Sequence, residues 1–213
     1  MELKEMQAKL VEAWNIARRS NASAPGELTA YYRLNTFDHA GVNDPEAGTY
    51  LTGERDWEAR WAKMRPALLR ACGGTLEGKR ILELGHNMGL LSIWAAREGA
   101  ICTSVELQPD IQEASRIIAD VFEVSDRCNW VNANMSSWLP EGEEFDVVTC
   151  CRLMYHVPNK GNLIKAMGHG KALLYEGHDD RFIEDARIQQ AGYPNVEVIY
   201  KTERNTELFL GTK

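Results

Sequence analysis

Four residues at alternate positions, Glu83, Gly85, Asn87 and Gly89 in the run "ILELGHNMG", have the types and spacing of a ligand-binding turn. Glycine after an apolar strand lets the chain turn tightly and brings backbone close to a ligand. The amides opening the next helix would then favour negative charge. A dinucleotide site needs G-x-G-x-x-G, and here the middle glycine is Asn87; a G-x-x-x-x-G-K-[ST] phosphate loop is also lacking. The turn therefore suits a nucleoside with a tail smaller than a pyrophosphate. Glu106, ending "TSVEL", lies about twenty residues beyond Glu83, the span of one strand–helix–strand unit. An acid there is placed to accept both ribose hydroxyls. The plainer possibility is a solvated carboxylate at a strand end.

Positioning these groups requires a sheet. From Gly78 onward strands and helices alternate: "KRILELG" strand, "GLLSIWAAREG" helix, "AICTSVEL" strand, "PDIQEASRIIADVF" helix. Then come "CNWVNAN" and "FDVVTCCRL" as strands, "KGNLIKAMG" as a helix and "KALLYEGH" as a fifth strand. "DDRFIEDARIQQAG" reads as a helix with Phe182, Ile183, Ala186 and Ile188 inward, and "VEVIYKTERNTELFLGTK" as two strands around a polar turn. Such alternation implies a mostly parallel sheet covered on both faces. Before it, residues 2–19 carry a helical stripe of Leu3, Met6, Leu10, Trp14 and Ala17. Residues 26–55 read as a loop-rich, lid-like stretch. "RDWEARWAKMRPALLRAC" reads as a helix burying Trp57, Trp61, Met64, Leu68 and Leu69.

Glu83-x-Gly85-x-Asn87-x-Gly89, with Glu106 and the "FDVVTCCRLMYHV" strand, resembles the class I S-adenosylmethionine-dependent methyltransferase family over roughly residues 78–213. The resemblance implies a doubly wound α/β fold: a seven-stranded, mostly parallel sheet closed by a C-terminal antiparallel hairpin. Residues 71–213 would form that domain, and residues 1–70 an N-terminal helical and loop cap. It also implies S-adenosylmethionine as cofactor. Glu83, Gly85, Asn87 and Gly89 would border the methionine tail, Glu106 would hold the ribose, and Leu107 would lie beside the adenine. Asn134 stands where the family often has an aspartate bonding the adenine amine, and Met135 would pack on the ring. Arg152 would either pair with the cofactor carboxylate or face the acceptor, with a structural ion pair as a third role.

Methyl transfer from a sulfonium needs aligned atoms and exclusion of water, and a hydroxyl acceptor is helped by a general base. His178, crowded by Glu176 and Asp179, is the first candidate and His156 the second. A metal held by Glu176, His178 and His156 is not required by their spacing, so no metal is expected. Tyr31, Tyr32 and Arg55, with Glu176, would face the acceptor beneath a cap. The expected reaction is transfer to a hydroxyl of a small sugar-like or secondary-metabolite acceptor. "RDWEARWAKMRPAL" and "LMYHV" also look somewhat like methyltransferases acting on sugars or on modified wobble uridines of transfer RNA. The same turn and acid are compatible with a non-catalytic cofactor-binding module, and less well with an NAD(P)-dependent oxidoreductase.

Bulk properties narrow the partners. The 213 residues carry a formal net charge of -7, which argues against a phosphate-dominated partner such as nucleic acid. No apolar run is long enough for a membrane span. The acidic, amphipathic start "MELKEMQAKL" argues against a secretory or transit peptide. The five cysteines lack metal spacing and read as reduced thiols of a cytoplasmic protein, with Cys150 and Cys151 pointing to opposite faces.

Overall fold

The computed structural model describes residues 3–21, 30–33, 53–142, 144–177, 179–201 and 206–213. Seven strands form one sheet: β3 (Arg80–Leu84), β4 (Ile101–Glu106), β5 (Cys128–Asn132), β6 (Phe145–Cys151), β7 (Gly170–Gly177), β8 (Asn195–Lys201) and β9 (Glu207–Thr212). Their order across the sheet is β5-β4-β3-β6-β7-β9-β8. The pairs from β5 to β7 are parallel, and β9 runs antiparallel between β7 and β8. The chain steps outward from β3 through β4 to β5, then returns to β6 on the other side. The reversal between β3 and β6 is a switch point, where an open parallel sheet leaves a crevice at its carboxyl edge.

Alternation along the strands divides the core into two layers. Ile81, Val147 and Leu174 face a layer filled by α1 (Leu3–Asn21), α2 (Trp57–Ala71), α3 (Leu90–Arg97) and α4 (Pro109–Val121). Leu82, Val148 and Leu173 face the other, filled by α5 (Lys160–Met167) and α6 (Arg181–Gln190). Cys150 belongs to the second layer and Cys151 packs against the first; all five cysteines are free. Every residue of α3 from Leu90 to Ala96 is buried, so this helix is enclosed and not merely laid on the surface. Among the described residues no helix is long and apolar enough to cross a membrane.

The N-terminal stripe is real: Leu10, Ala13, Trp14 and Ala17 are fully buried, and α1 packs along α4. The helix thus shares a hydrophobic layer with the sheet. Three local expectations change. Arg55 and Asp56 do not open a helix but end β2 (Gly53–Asp56), which pairs in parallel with β1 (Ala30–Arg33). The stretch read as loop-rich therefore contains paired strands, a pairing too distant in sequence to show as local alternation. Leu69 in α2 is only partly buried, while Ala67 takes its place in the core.

The third change is in α6, where Phe182, Ile183 and Ala186 are exposed, Phe182 by 82%. The buried face carries Ile188, as expected, together with Glu184. An acid can occupy that face because Tyr175 and Arg187 bond its carboxylate.

Candidate functional site

The turn between β3 and α3 takes three residues at alternate positions into the left-handed region: Gly85 (φ 69°), Asn87 (φ 49°) and Gly89 (φ 69°). Glycine reaches that region freely, and asparagine is among the side chains that tolerate it best. The G-x-N-x-G spacing is thus a backbone requirement. Asn87 Oδ1 accepts the Met88 amide at 2.9 Å, and the Gly85 amide donates to Val105 O at 2.9 Å. The bare faces of the two glycines meet protein. A Cβ on Gly85 would lie 2.7 Å from Leu153 Cδ1, and one on Gly89 would lie 2.6 Å from the Trp130 ring.

Glu106 ends β4 beside this turn, half-buried. Its Oε2 accepts the Asn87 amide at 3.1 Å, and its Oε1 accepts the amides of Leu107 (2.8 Å) and Gln108 (3.1 Å). Three backbone donors hold the carboxylate in one orientation, and lone pairs remain for a ligand hydroxyl. Asn132 Nδ2 braces the strand end by donating to the carbonyls of Glu106 and Leu107, each at 3.0 Å. Leu107 is 58% exposed on the same rim.

Glu83 lies beneath the turn. It is buried, and its Oε2 accepts the Ser92 amide at 3.1 Å and Ser92 Oγ at 2.6 Å, joining β3 to α3. Burial pushes its carboxyl up to about 7, against the lowering effect of the Ser92 bonds. His86 is also buried, 5.0 Å from the Trp130 ring centre, with Nδ1 3.3 Å from Ser115 Oγ. Burial pushes this imidazole down to about 3, so it is neutral.

Past β5, Asn134 is exposed, its Oδ1 accepting the Ser136 amide at 2.8 Å, and Met135 is buried beside it. Past β6, Arg152 adopts φ 57°, which for a residue with a Cβ costs about 1–2 kcal/mol. Its amide donates to Glu176 O at 2.9 Å, and Leu153 next to it packs on Gly85. Among the described residues the half-buried Arg152 guanidinium has no hydrogen-bond or ion-pair partner. The positive φ places a cationic side chain in a strained backbone position at the switch point.

Glu176, at the end of β7, is buried; its carboxylate accepts Arg60 of α2 and Thr206 Oγ1, the latter at 3.0 Å. His156 is exposed in the turn after β6, with its amide donating to Leu153 O at 2.9 Å. His178 lies outside the described residues. The backbone of Tyr31 and Tyr32 falls in β1 and that of Arg55 in β2, with Tyr32 opposite Arg55, but their side chains also lie outside what is described. Among the described residues no three His, Cys, Asp or Glu side chains gather as a metal site.

The structure therefore gathers the turn, Glu106, Asn134 and Arg152 along one edge of the sheet. A rigid carboxylate, an exposed amide and a guanidinium without a partner among the described residues together have the chemistry to fit a nucleoside with a charged amino-acid tail. Arg60 escaped the sequence reading, although it sits three residues after Trp57 and four before Met64, on the buried face of α2. That placement was the signal: an arginine in a helical apolar stripe needs a buried acid.

A sequence profile described as a methyltransferase domain matches residues 56–202. A ubiquinone biosynthesis O-methyltransferase of Coxiella burnetii (strain RSA 331 / Henzerling II) is 31% identical over 138 residues, covering 61% of this chain and 58% of that protein. The chain thus spans less than two thirds of the length of such relatives. The N-terminal domain of EvdMO1 with S-adenosylhomocysteine bound superposes with a TM-score of 0.68 at 18% identity, covering 100% of this chain and 97% of that one. The same domain in the presence of S-adenosylhomocysteine and D-fucose gives 0.59 at 19% identity, over 70% and 82% of the two chains. Magnesium protoporphyrin IX methyltransferase from Synechocystis PCC 6803 with bound S-adenosylmethionine gives 0.59 at 12% identity, over 73% and 79%.

Proposed function

Because the chain belongs to the class I S-adenosylmethionine-dependent methyltransferases, we propose that it methylates a hydroxyl of a small sugar-like or secondary-metabolite acceptor. The cofactor supplies a methyl group on a positively charged sulfur. The protein's own part is to fix the adenosine, orient the tail and exclude water. Glu106 takes the ribose, Asn134 and Met135 meet the adenine with Leu107 at its edge, and Arg152 pairs with the tail carboxylate. Gly85, Asn87 and Gly89 border that tail, and Glu83 locks the turn from below. His178 and His156 serve the acceptor hydroxyl, and Tyr31, Tyr32 and Arg55 contribute to acceptor binding. Glu176 acts from behind, since its carbonyl holds the Arg152 amide.

The observation that carries the reading is the Glu106 carboxylate, immobilised by three backbone amides at the edge of a sheet of this order. A hydroxyl acceptor is supported by the O-methyltransferase relatives and by the neighbour crystallised with D-fucose. The net charge of -7 favours a small acceptor over a nucleic acid. Calorimetry with S-adenosylhomocysteine tests the donor site: Glu106→Ala should weaken binding by about tenfold to a hundredfold, the value of a charged hydrogen bond. Unchanged affinity in that variant would remove Glu106 from the site.

A further inference from the structure

Asp179 follows the last residue of β7 by two positions, half-buried at the carboxyl edge of the sheet. Its Oδ2 accepts Arg187 Nη1 at 2.6 Å, and the same nitrogen donates to Glu184 Oε2 at 2.9 Å. Glu184 is fully buried; it also accepts the Tyr175 hydroxyl at 2.7 Å and the Asp179 amide at 2.9 Å. Gly177 makes room for this approach, since a Cβ there would lie 2.1 Å from Glu184 Oε1. Tyr155, from the turn after β6, also hydrogen-bonds the Asp179 carboxylate and is 44% exposed.

A buried charge network of this kind adds little stability, because desolvation offsets most of its coulombic gain. Its effect is positional. Tyr175 and Glu184 are buried and Arg187 nearly so, whereas Asp179 and Tyr155 reach solvent. The network therefore ends in one carboxylate and one phenol, held in fixed geometry at the edge of the sheet where ligands bind.

We propose that Asp179 receives the hydroxyl of the methyl acceptor and takes its proton, with Tyr155 and Arg187 as positioning residues. This assignment rests on the hydroxyl acceptor proposed above and adds the residue that meets it. The acceptor oxygen bonds to the methyl carbon, and the carbon–sulfur bond breaks with its electron pair left on sulfur. The hydroxyl proton passes to the Asp179 carboxylate and from there to water. The Tyr155 hydrogen bond, helped by Arg187, holds the Asp179 carboxyl below its ordinary value despite partial burial. Burial and the Asp179 charge push the Tyr155 hydroxyl up to about 12, so it stays protonated and donates. A carboxylate of this kind cannot ionise a free alcohol. It can take the proton from an oxygen already bonding to carbon.

The test uses the full chain with methyl-labelled S-adenosylmethionine, two hydroxyl probes, catechol and D-fucose, and benzylamine as a nitrogen control. The wild type should methylate one of the hydroxyl probes, and which one separates a phenol from a sugar. Asp179→Asn should lower kcat on that probe about a hundredfold, within the range for loss of a proton acceptor. Tyr155→Phe, a conservative change at an exposed site, should lower it severalfold. Both variants should bind S-adenosylhomocysteine within about twofold of wild type. Undiminished kcat in Asp179→Asn, or a matching loss of S-adenosylhomocysteine affinity, overturns the role of Asp179 and leaves the hydroxyl acceptor standing. Transfer to benzylamine alone, or to no probe, overturns the hydroxyl acceptor and Asp179 with it.

Discussion

Glu106 and Asn87 are joined across the carboxyl edge of the sheet, the carboxylate of one accepting the backbone amide of the other at 3.1 Å. The bond makes the end of β4 and the turn after β3 a single unit. It also depends on Asn87 staying at φ 49°, because that conformation aims its amide at the acid.

Asn87→Gly should therefore be tolerated, with stability within about 1 kcal/mol of wild type, since glycine adopts the same φ without strain. Asn87→Ala should cost about 2 kcal/mol, combining left-handed strain with loss of the Oδ1 bond to the Met88 amide. Urea unfolding of the two variants measures both. Equal stability of Asn87→Ala and wild type would mean that the turn relaxes to another conformation.

Arg152 offers a way to locate the tail of the cofactor. Arg152→Asn keeps a residue that accepts φ 57° while removing the guanidinium. Affinity for S-adenosylhomocysteine should fall by about tenfold or more, as expected for a charged hydrogen bond. Affinity for methylthioadenosine, which has the nucleoside but no amino-acid tail, should not change. An equal loss for both ligands would place Arg152 away from the tail, and no loss for either would turn it toward the acceptor.

Much of this site was legible because its signals are local. The β–α alternation and the apolar stripes of α1 and α2 follow from periodicities that a single chain segment displays. The spacing of Gly85, Asn87 and Gly89 records three left-handed positions, and Glu106 ends the next strand as the unit length requires. What escaped depends on partners far along the chain. Glu184 looks like a surface acid, and its burial turns Phe182 and Ile183 outward only because Tyr175 and Arg187 meet it. Arg60 enters an apolar stripe because Glu176, 116 residues away, receives it. The glycine turn itself departs from expectation in one respect: its bare faces admit Leu153 and Trp130, so Gly85→Val would disturb packing before it reached any ligand.

Glu83 should make stability fall as pH rises from about 4 to about 7. Its carboxyl sits at about 7 in the folded chain, raised by burial, against about 4.3 when unfolded. Between those values the folded state binds more protons than the unfolded state, so the slope of stability against pH is negative. The stabilisation is complete below about pH 4 and lost above about pH 7, and amounts to about 4 kcal/mol in total. The groups facing Glu83 are Ser92, which donates to it, with Arg60 and Glu106 acting through charge. His86 opposes the trend, because its lowered pKa makes stability rise with pH between about 3 and 6.5. Comparing wild type with Glu83→Gln isolates the acid, since both retain His86. From pH 5 to pH 8 the wild type should lose stability relative to Glu83→Gln in urea unfolding. A constant difference across that range would show that Glu83 does not change protonation on folding.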